Sequence, residues 1–422
     1  MPSLYQVKQR VYGINKKGEK EMVLTFVILL GVLFSALFVV SYIAEKQIFS
    51  PWSVTLGVWV IVLCAYLGVH KELYAISFNF VKCLAVWVLT FSFSSYAAYK
   101  LTPAYKKPQW VPCEKNIDII TLITVILVPL AVYKAIQHAA MLGDPEGLFL
   151  TLREQAIDPE ENQLGFVKYF VYIANVLLMI EVCRTKIRKG RLVVISFICF
   201  LFFIATMAKQ TLFMYLFTSL YLLYDNKKIT LRPIAITAVL LILSIPLMYL
   251  LRGGEGEETD AEFIGSLLMT YSVASLISFD YIVPSSSFWW GEETFRPFYN
   301  VLHALGFNVG TTSLIQDFVY VPMITNVYTV MAPFYKDFGI WGIFTFALFE
   351  GILYGVLFKY SKTGNNLVRY LYAYMFSQLV MQFFDEEFFK AFSSIIQIII
   401  VLLFCHIKFK YEWPLKQSIL HE

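Results

Sequence analysis

What most limits the folds open to this chain is a succession of apolar runs, nearly free of charge. Most are long enough to cross ~30 Å of hydrocarbon as a helix, and most are separated by short polar connectors. The first, Val23–Ala44, exceeds the core of a signal peptide and lacks a clean small-residue cleavage site, so it reads as a retained span. Further runs occupy roughly 54–69, 78–98, 117–137, 165–183, 192–208, 211–224, 233–251, 338–359, 367–384 and 388–407, about eleven in all. With 58% hydrophobic and 15% charged residues among 422, no soluble core absorbs this much apolar surface. The expected fold is an all-α polytopic membrane protein.

Connector charge sets the orientation. Lys100, Lys106, Lys107 and Lys115 follow the third run; Arg184, Lys186, Arg188, Lys189 and Arg191 follow the fifth; Lys227, Lys228 and Arg232 follow the seventh; Lys359, Lys362 and Arg369 bracket the ninth and tenth. By the positive-inside rule these four belong on the cytoplasmic side. The intervals between them are acidic. The loop 138–164 carries six carboxylates against Arg153, and the loop 252–337 sets ten, among them Asp280, Asp317 and Asp337, against Arg252, Arg296 and Lys336. Both are expected to face outward. The chain then divides into a basic N-terminal segment 1–22, spans one to eight over 23–251, the large outward loop 252–337, and spans nine to eleven with a cytoplasmic tail over 338–422. Counting back from the Lys106 connector puts the basic N-terminus outside, against the same rule, so its side stays open. Phe263–Val283 is apolar, but its Ser, Thr and Tyr residues and Asp280 make it an interfacial or loop helix rather than a twelfth span.

Several function classes drop out. A net charge of +4, scattered, is no nucleic-acid footprint. The six cysteines lie in or beside apolar runs or, for Cys113, in a basic connector, so neither a disulfide framework nor a metal cluster is implied. Asp337-Phe338-Gly339 spells the kinase triplet without its companion motifs, and Gly253-Gly254-Glu255-Gly256 is followed by acids where a phosphate loop needs Lys and Ser or Thr. There is no His-Glu-x-x-His, no Gly-x-Ser-x-Gly and no Asp-x-Asp, so no metal or other cofactor is expected.

The remaining chemistry is sparse outward cation among acids and aromatics. Arg153, Arg252 and Arg296 are nearly the only outward guanidinium groups, and the planar fork of arginine suits phosphate oxygens, which makes a lipid diphosphate a natural ligand. Each can instead pair with a neighbouring acid such as Glu154 or Glu293. Phe288, Trp289, Trp290, Phe295, Phe298, Tyr299, Tyr320, Tyr328 and Tyr335 suit stacking on sugar rings, with Asp280, Asp317 and Asp337 as hydroxyl acceptors; interfacial anchoring is the plainer account of such aromatics. Glu350, about a dozen residues into the ninth run, should face the bundle interior. Lys209, at a tight outward turn, can reach a phosphate or simply snorkel.

The segments YSVASLISFDYIV (271–283), GEETFRPFYNVLHALGF (291–307) and TNVYTVMAPFYKDFGIWG (325–342) resemble the oligosaccharide repeat unit polymerases, the Wzy-type polymerases of O-antigen and capsule assembly. The most characteristic piece is Asn326-Val327-Tyr328-Thr329 followed by Asp337-Phe338-Gly339. Family members usually place an arginine in or near the short turn between the sixth and seventh spans, where Lys209 and Gln210 stand here. The resemblance implies a membrane-embedded, GT-C-like glycosyltransferase of the bacterial inner membrane. It would move the growing glycan from undecaprenyl diphosphate to the non-reducing end of a fresh lipid-linked repeat unit, in company with flippase and chain-length regulator proteins. It would place Arg153, Arg252, Arg296, Lys209, Asn326, Tyr328, Thr329 and Tyr335 on diphosphate or glycan, with Asp337 or Asp280 as base. The competing expectations are an O-antigen ligase, for which only His303, expected to be packed, offers a histidine in the late loop, and a flippase or exporter, which would lack a large outward loop.

Overall fold

The computed structural model describes residues 17–71, 73–104, 110–142, 147–157, 163–234, 236–237, 273–282, 284, 290–310, 312, 316–321 and 324–407. Twelve α-helices are delimited within them: α1 (Lys17–Glu45), α2 (Pro51–Val69), α3 (Phe78–Leu101), α4 (Glu114–Leu142), α5 (Leu148–Ile157), α6 (Phe170–Cys183), α7 (Lys189–Thr206), α8 (Lys209–Asp225), α9 (Arg296–Ala304), α10 (Ala332–Ser361), α11 (Asn366–Val380) and α12 (Phe392–His406). A 3₁₀ turn, Gly165–Tyr169, leads into α6. Seven of these helices, α6 counted with its leading turn, are long and apolar enough to cross a membrane: α1 to α4, α6, α7 and α10. The runs at 211–224, 367–384 and 388–407 give the shorter helices α8, α11 and α12, of 17, 15 and 15 residues. The run at 233–251 lies largely outside the described residues. The β pairing among the described residues is a two-residue antiparallel ladder, Val319–Tyr320 against Ile324–Thr325.

Local chemistry sets several helix starts. Ser50 accepts a hydrogen bond from the Ser53 amide with Pro51 at the first helical position of α2, Ser77 accepts from Phe80 at the start of α3, and Asn365 accepts from Leu367 and Val368 at the start of α11. Outward faces of α1 and α4 remain apolar, with Leu29, Val40, Leu122 and Leu130 all more than half exposed. That is the surface expected toward lipid rather than water.

The basic connectors gather at one end of the bundle. Arg184 and Arg188 grip Glu114, Arg191 grips Asp118, and Arg184 and Arg191 together enclose the fully buried Glu181. Lys362 and Arg369 both pair with Asp225, Lys228 donates to the carbonyls of Val182 and Arg184, and Lys100 pairs with Glu45. Because Glu45 ends α1 and Lys100 lies at the end of α3, α1 starts at the opposite end. The N-terminal end of α1 therefore shares an end with the acidic connectors, as counting back through the spans expects. The C-terminal end of α12 is held at the basic end by Asn116, which donates to Phe404 and Ile407 carbonyls.

The most extensive helix packing among the described residues is α3 against α10. Gly351 and Gly355, one turn apart, face Phe91, Ser94 and Ser95 so closely that a Cβ at Gly355 would lie 2.2 Å from the Ser95 carbonyl oxygen. Paired small residues at this spacing let membrane helices approach backbone to backbone. At its other end α10 bends at Gly339, whose φ of 61° and ψ of −150° lie outside the helical region and are open to glycine without cost. A short N-terminal arm, residues 332–338, is thereby turned away from the long shaft. Gly355→Val should destabilise the protein by about 1–3 kcal/mol through overpacking, whereas Gly31→Val, with open space around it, should be close to neutral. Unfolding of the purified variants in detergent measures the difference, and equal stability would exclude the close approach as a support of the fold.

Candidate functional site

The end opposite the basic connectors is assembled by three segments: the turn 290–295 leading into α9, the arm of α10, and the stretch 381–391 between α11 and α12. Phenylalanines join them. Phe295 packs edge-on against Phe389 with ring centroids 5.7 Å apart and against Phe346 at 5.8 Å, Phe298 meets Phe392 at 5.1 Å, and Phe334 stacks on Phe346 at 4.6 Å. This apolar clamp brings the first residue of α9, Arg296, against the acids of Phe384-Asp385-Glu386-Glu387-Phe388.

Arg296 is only 4% exposed, a burial that opposes its charge, and four carboxylates, Asp385, Glu293, Glu386 and Glu387, oppose that loss electrostatically. Burying a guanidinium is costly without such company. The four acids are held differently. Glu293 is ion-paired with Lys336, and Asp385 with Lys390. Glu386 turns back on its own backbone: Oε1 accepts from the Phe388 amide at 2.7 Å and the Phe389 amide at 2.9 Å, and Oε2 from Lys390 at 3.1 Å. Glu387 accepts on Oε2 from the amide group of Gln210, while Gln378 donates to its backbone carbonyl at 3.0 Å. Burial raises the carboxyl of Glu386 to about 7 and that of Glu387 to about 8, neighbouring negative charge adding to both. Glu350 of α10 is buried in the bundle interior within electrostatic reach of Glu386.

A cavity of about 100 Å³ opens beside Glu387, walled by Tyr172, Met214, Tyr374 and Met381 and edged by Gln210, Ser377 and Ser394. Next in the chain to Met381 of that wall, Gln382 accepts on Oε1 from the indole N–H groups of Trp59 at 3.2 Å and Trp87 at 3.3 Å, and its Nε2 donates to Thr55 at 3.0 Å. The Gln382 carbonyl accepts from the Val330 amide, which ties the segment before α10 to the same point.

The residues singled out from sequence fall into separate groups. Asp337, on the arm of α10, accepts from the Thr294 amide at 2.8 Å and the Glu293 amide at 3.4 Å, so its carboxylate fixes the turn that presents Arg296. Asp280 accepts from the Ser77 hydroxyl at 2.7 Å and from the Ser77 amide, and thereby ties the helical stretch 273–280 to the start of α3; burial raises its carboxyl to about 6 against those donors. That stretch is buried within protein along 273–279. Tyr335 accepts from Asn79 at 2.8 Å and packs on Phe279. Tyr328 donates to the Asp317 carbonyl, Thr329 is fully buried, and Asn326 is half-buried beside them. Lys209 opens α8 two residues after Met207, whose left-handed backbone makes the tight turn foreseen there, but it is its neighbour Gln210 that reaches Glu387. Arg153 lies on α5, held against α4 by a Gln155–His138 hydrogen bond. Arg252, Phe288 and Trp289 lie outside the described residues. His303, expected to be packed, is exposed on α9 and bonds the Val309 carbonyl through Nδ1.

Sequence reading passed over Asp385, Glu386 and Glu387. The available signal was three consecutive acids framed by phenylalanines between two apolar runs, on the side where acidic connectors collect. Among the described residues no group of His, Cys, Asp and Glu is arranged to hold a metal ion.

No family model and no solved structure matches the chain. Among curated proteins, 204 residues, 46% of the chain, are 24% identical to a protein described as an O-antigen polymerase from Shigella dysenteriae. The match spans 51% of that protein, about half its length.

The Asp337 arrangement is testable without any substrate. Asp337→Ala should speed hydrogen exchange at the Thr294 amide roughly 10- to 100-fold, the equivalent of a lost charge-assisted bond, while Asp337→Asn should lose only part of the protection. Exchange unchanged in the alanine variant would rule out a holding role.

Proposed function

We propose that this protein is a polysaccharide polymerase that joins lipid-linked oligosaccharides at the end of the bundle bearing Arg296. The likeness to an O-antigen polymerase and the membrane-helical architecture support a polysaccharide polymerase in general terms. The observation that carries the chemistry is the buried Arg296 held among four carboxylates, one of which, Glu387, lines a cavity. Lys336 pairs with Glu293 and Lys390 with Asp385, so the charge of Arg296 stands beside two carboxyls, Glu386 and Glu387, whose ionised form burial disfavours.

In this reading the donor is the growing glycan on undecaprenyl diphosphate and the acceptor is the non-reducing sugar of a lipid-linked repeat unit of O-antigen or capsule. The site faces the outer side of the bacterial inner membrane, with the basic connectors in the cytoplasm. Arg296 meets the diphosphate, and its contact strengthens as negative charge develops on the departing group. Arg153 and Lys209, at the same end, serve the lipid-linked substrates, and the segment Asn326–Thr329 with Tyr335 lines the path of the glycan. Because arginine takes the place of a metal at the diphosphate, transfer proceeds without a divalent cation. Flippase and chain-length regulator proteins are its working partners.

Cells lacking the protein should carry single repeat units where the wild type carries long polymer. Arg296→Ala, expressed at normal abundance, should reproduce that loss, with transfer reduced about 30- to 1000-fold (~2–4 kcal/mol), and Arg296→Lys should recover only part of it. Glycan analysis on gels decides this; polymer of normal length in Arg296→Ala would remove the arginine from the reaction. Purified protein supplied with lipid-linked repeat units should polymerise in excess EDTA, and activity that returns only with magnesium or manganese would refute the metal-free reading.

A further inference from the structure

The acids around Arg296 differ in what their oxygens are already doing. Glu293 and Asp385 are each neutralised by a lysine, and both oxygens of Glu386 are spent on three backbone amides. The two carboxylates singled out from sequence are committed as well: Asp337 to the Thr294 and Glu293 amides, Asp280 to Ser77. Glu387 is different. Only its Oε2 is engaged, by Gln210, and its Oε1 accepts no hydrogen bond among the described residues. Its residue lines the cavity, whose other walls are aromatic and aliphatic side chains with Ser377, Ser394 and Gln210 at the edge.

We infer that Glu387 is the general base that takes the proton from the acceptor sugar hydroxyl, oriented by Gln210 and paired in function with Arg296. The assignment rests on the polymerase reading above. In the step, the acceptor oxygen bonds to the anomeric carbon of the donor glycan as the bond from that carbon to the lipid diphosphate breaks. The electron pair leaves with the diphosphate, next to Arg296, and the hydroxyl proton passes to Glu387. Nothing is oxidised or reduced. Charge moves in a favourable sense: as negative charge builds on the leaving group, the nearby carboxylate is neutralised, and burial already favours its neutral form. Gln210 fits a positioning role, since its amide holds one carboxylate oxygen and so turns the other toward the cavity.

The groups that face Glu387 define its titration. Asp385, Glu386 and Lys390 lie on its own segment, Arg296 comes from α9, Tyr172 from α6, Tyr354 from α10 and Tyr374 from α11. The base form is the ionised one, and burial with Asp385 holds the carboxyl at about 8. Transfer by the wild type should therefore rise with pH through the neutral range and level off above about 8.

The test uses full-length protein in detergent or vesicles with lipid-linked repeat units, following single-turnover rates against pH. Glu387→Gln, which preserves shape and the contact to Gln210, should lower the rate about 100- to 10,000-fold, abolish the rise with pH and leave KM within a few-fold. Glu387→Asp should recover part of the rate and of the pH dependence. Gln210→Ala should lower the rate modestly and shift the pH profile, which a purely structural residue would not do. A Glu387→Gln protein of normal thermal stability that keeps wild-type rate and pH profile overturns the base assignment while leaving the polymerase reading intact. Wild-type protein that transfers no glycan at any pH overturns the polymerase reading, and the base assignment with it.

Discussion

The close approach of α3 and α10 is the contact on which the rest depends. A lipid bilayer gives two helices no hydrophobic reason to associate, so dense packing and backbone proximity must supply the attraction. Gly351 and Gly355 remove the side chains that would hold the backbones apart, and Ser94 and Ser95 receive them. With the shaft of α10 fixed on α3, the bend at Gly339 fixes the direction of the arm, and the arm carries Asp337 to the turn that begins α9. Arg296 is thus placed by a chain of contacts that begins deep in the bundle, more than forty residues further along the sequence.

The site itself shows how a charged group is kept inside a largely apolar assembly. Arg296 is buried by phenylalanines from three segments, and its charge is tolerated because acids converge on it from the stretch between α11 and α12. Glu293 and Asp385 are each restrained by a lysine, Glu386 by backbone amides and Glu387 by Gln210. Glu350 extends it into the bundle interior. The result is a polar centre with two carboxyl groups whose protonation lies in the physiological range, an arrangement met at functional sites more often than in purely structural ones.

Much of the scaffold is legible in the residues. Apolar runs mark the helices, and the basic connectors at Arg184–Arg191, Lys227–Arg232 and Lys359–Arg369 collect at one end because like-placed charge on a membrane protein shares a side. Arg296 stands out from composition alone. The partners of that arginine are not legible, because Asp385–Glu387 sit almost ninety residues away and only packing reveals the neighbour. The same limit applies to Asp337 and Asp280. A carboxylate in a loop reads equally as a reactive acid or as an acceptor for backbone amides, and its hydrogen-bond partners are not written in the residues around it. The bend at Gly339 is hidden because a glycine inside an apolar run looks like any other small residue until its backbone angles are known.

Gln382 has a consequence of another kind. Two indole N–H groups, from Trp59 on α2 and Trp87 on α3, converge on the side-chain amide oxygen of Gln382, a residue whose backbone carbonyl also accepts from Val330 in the stretch entering α10. The electronic state of both rings is therefore coupled to the position of that amide. Any displacement of the Gln382 side chain must alter both rings together, so the molecule carries a built-in optical gauge of that contact, readable in its ultraviolet emission with no label attached.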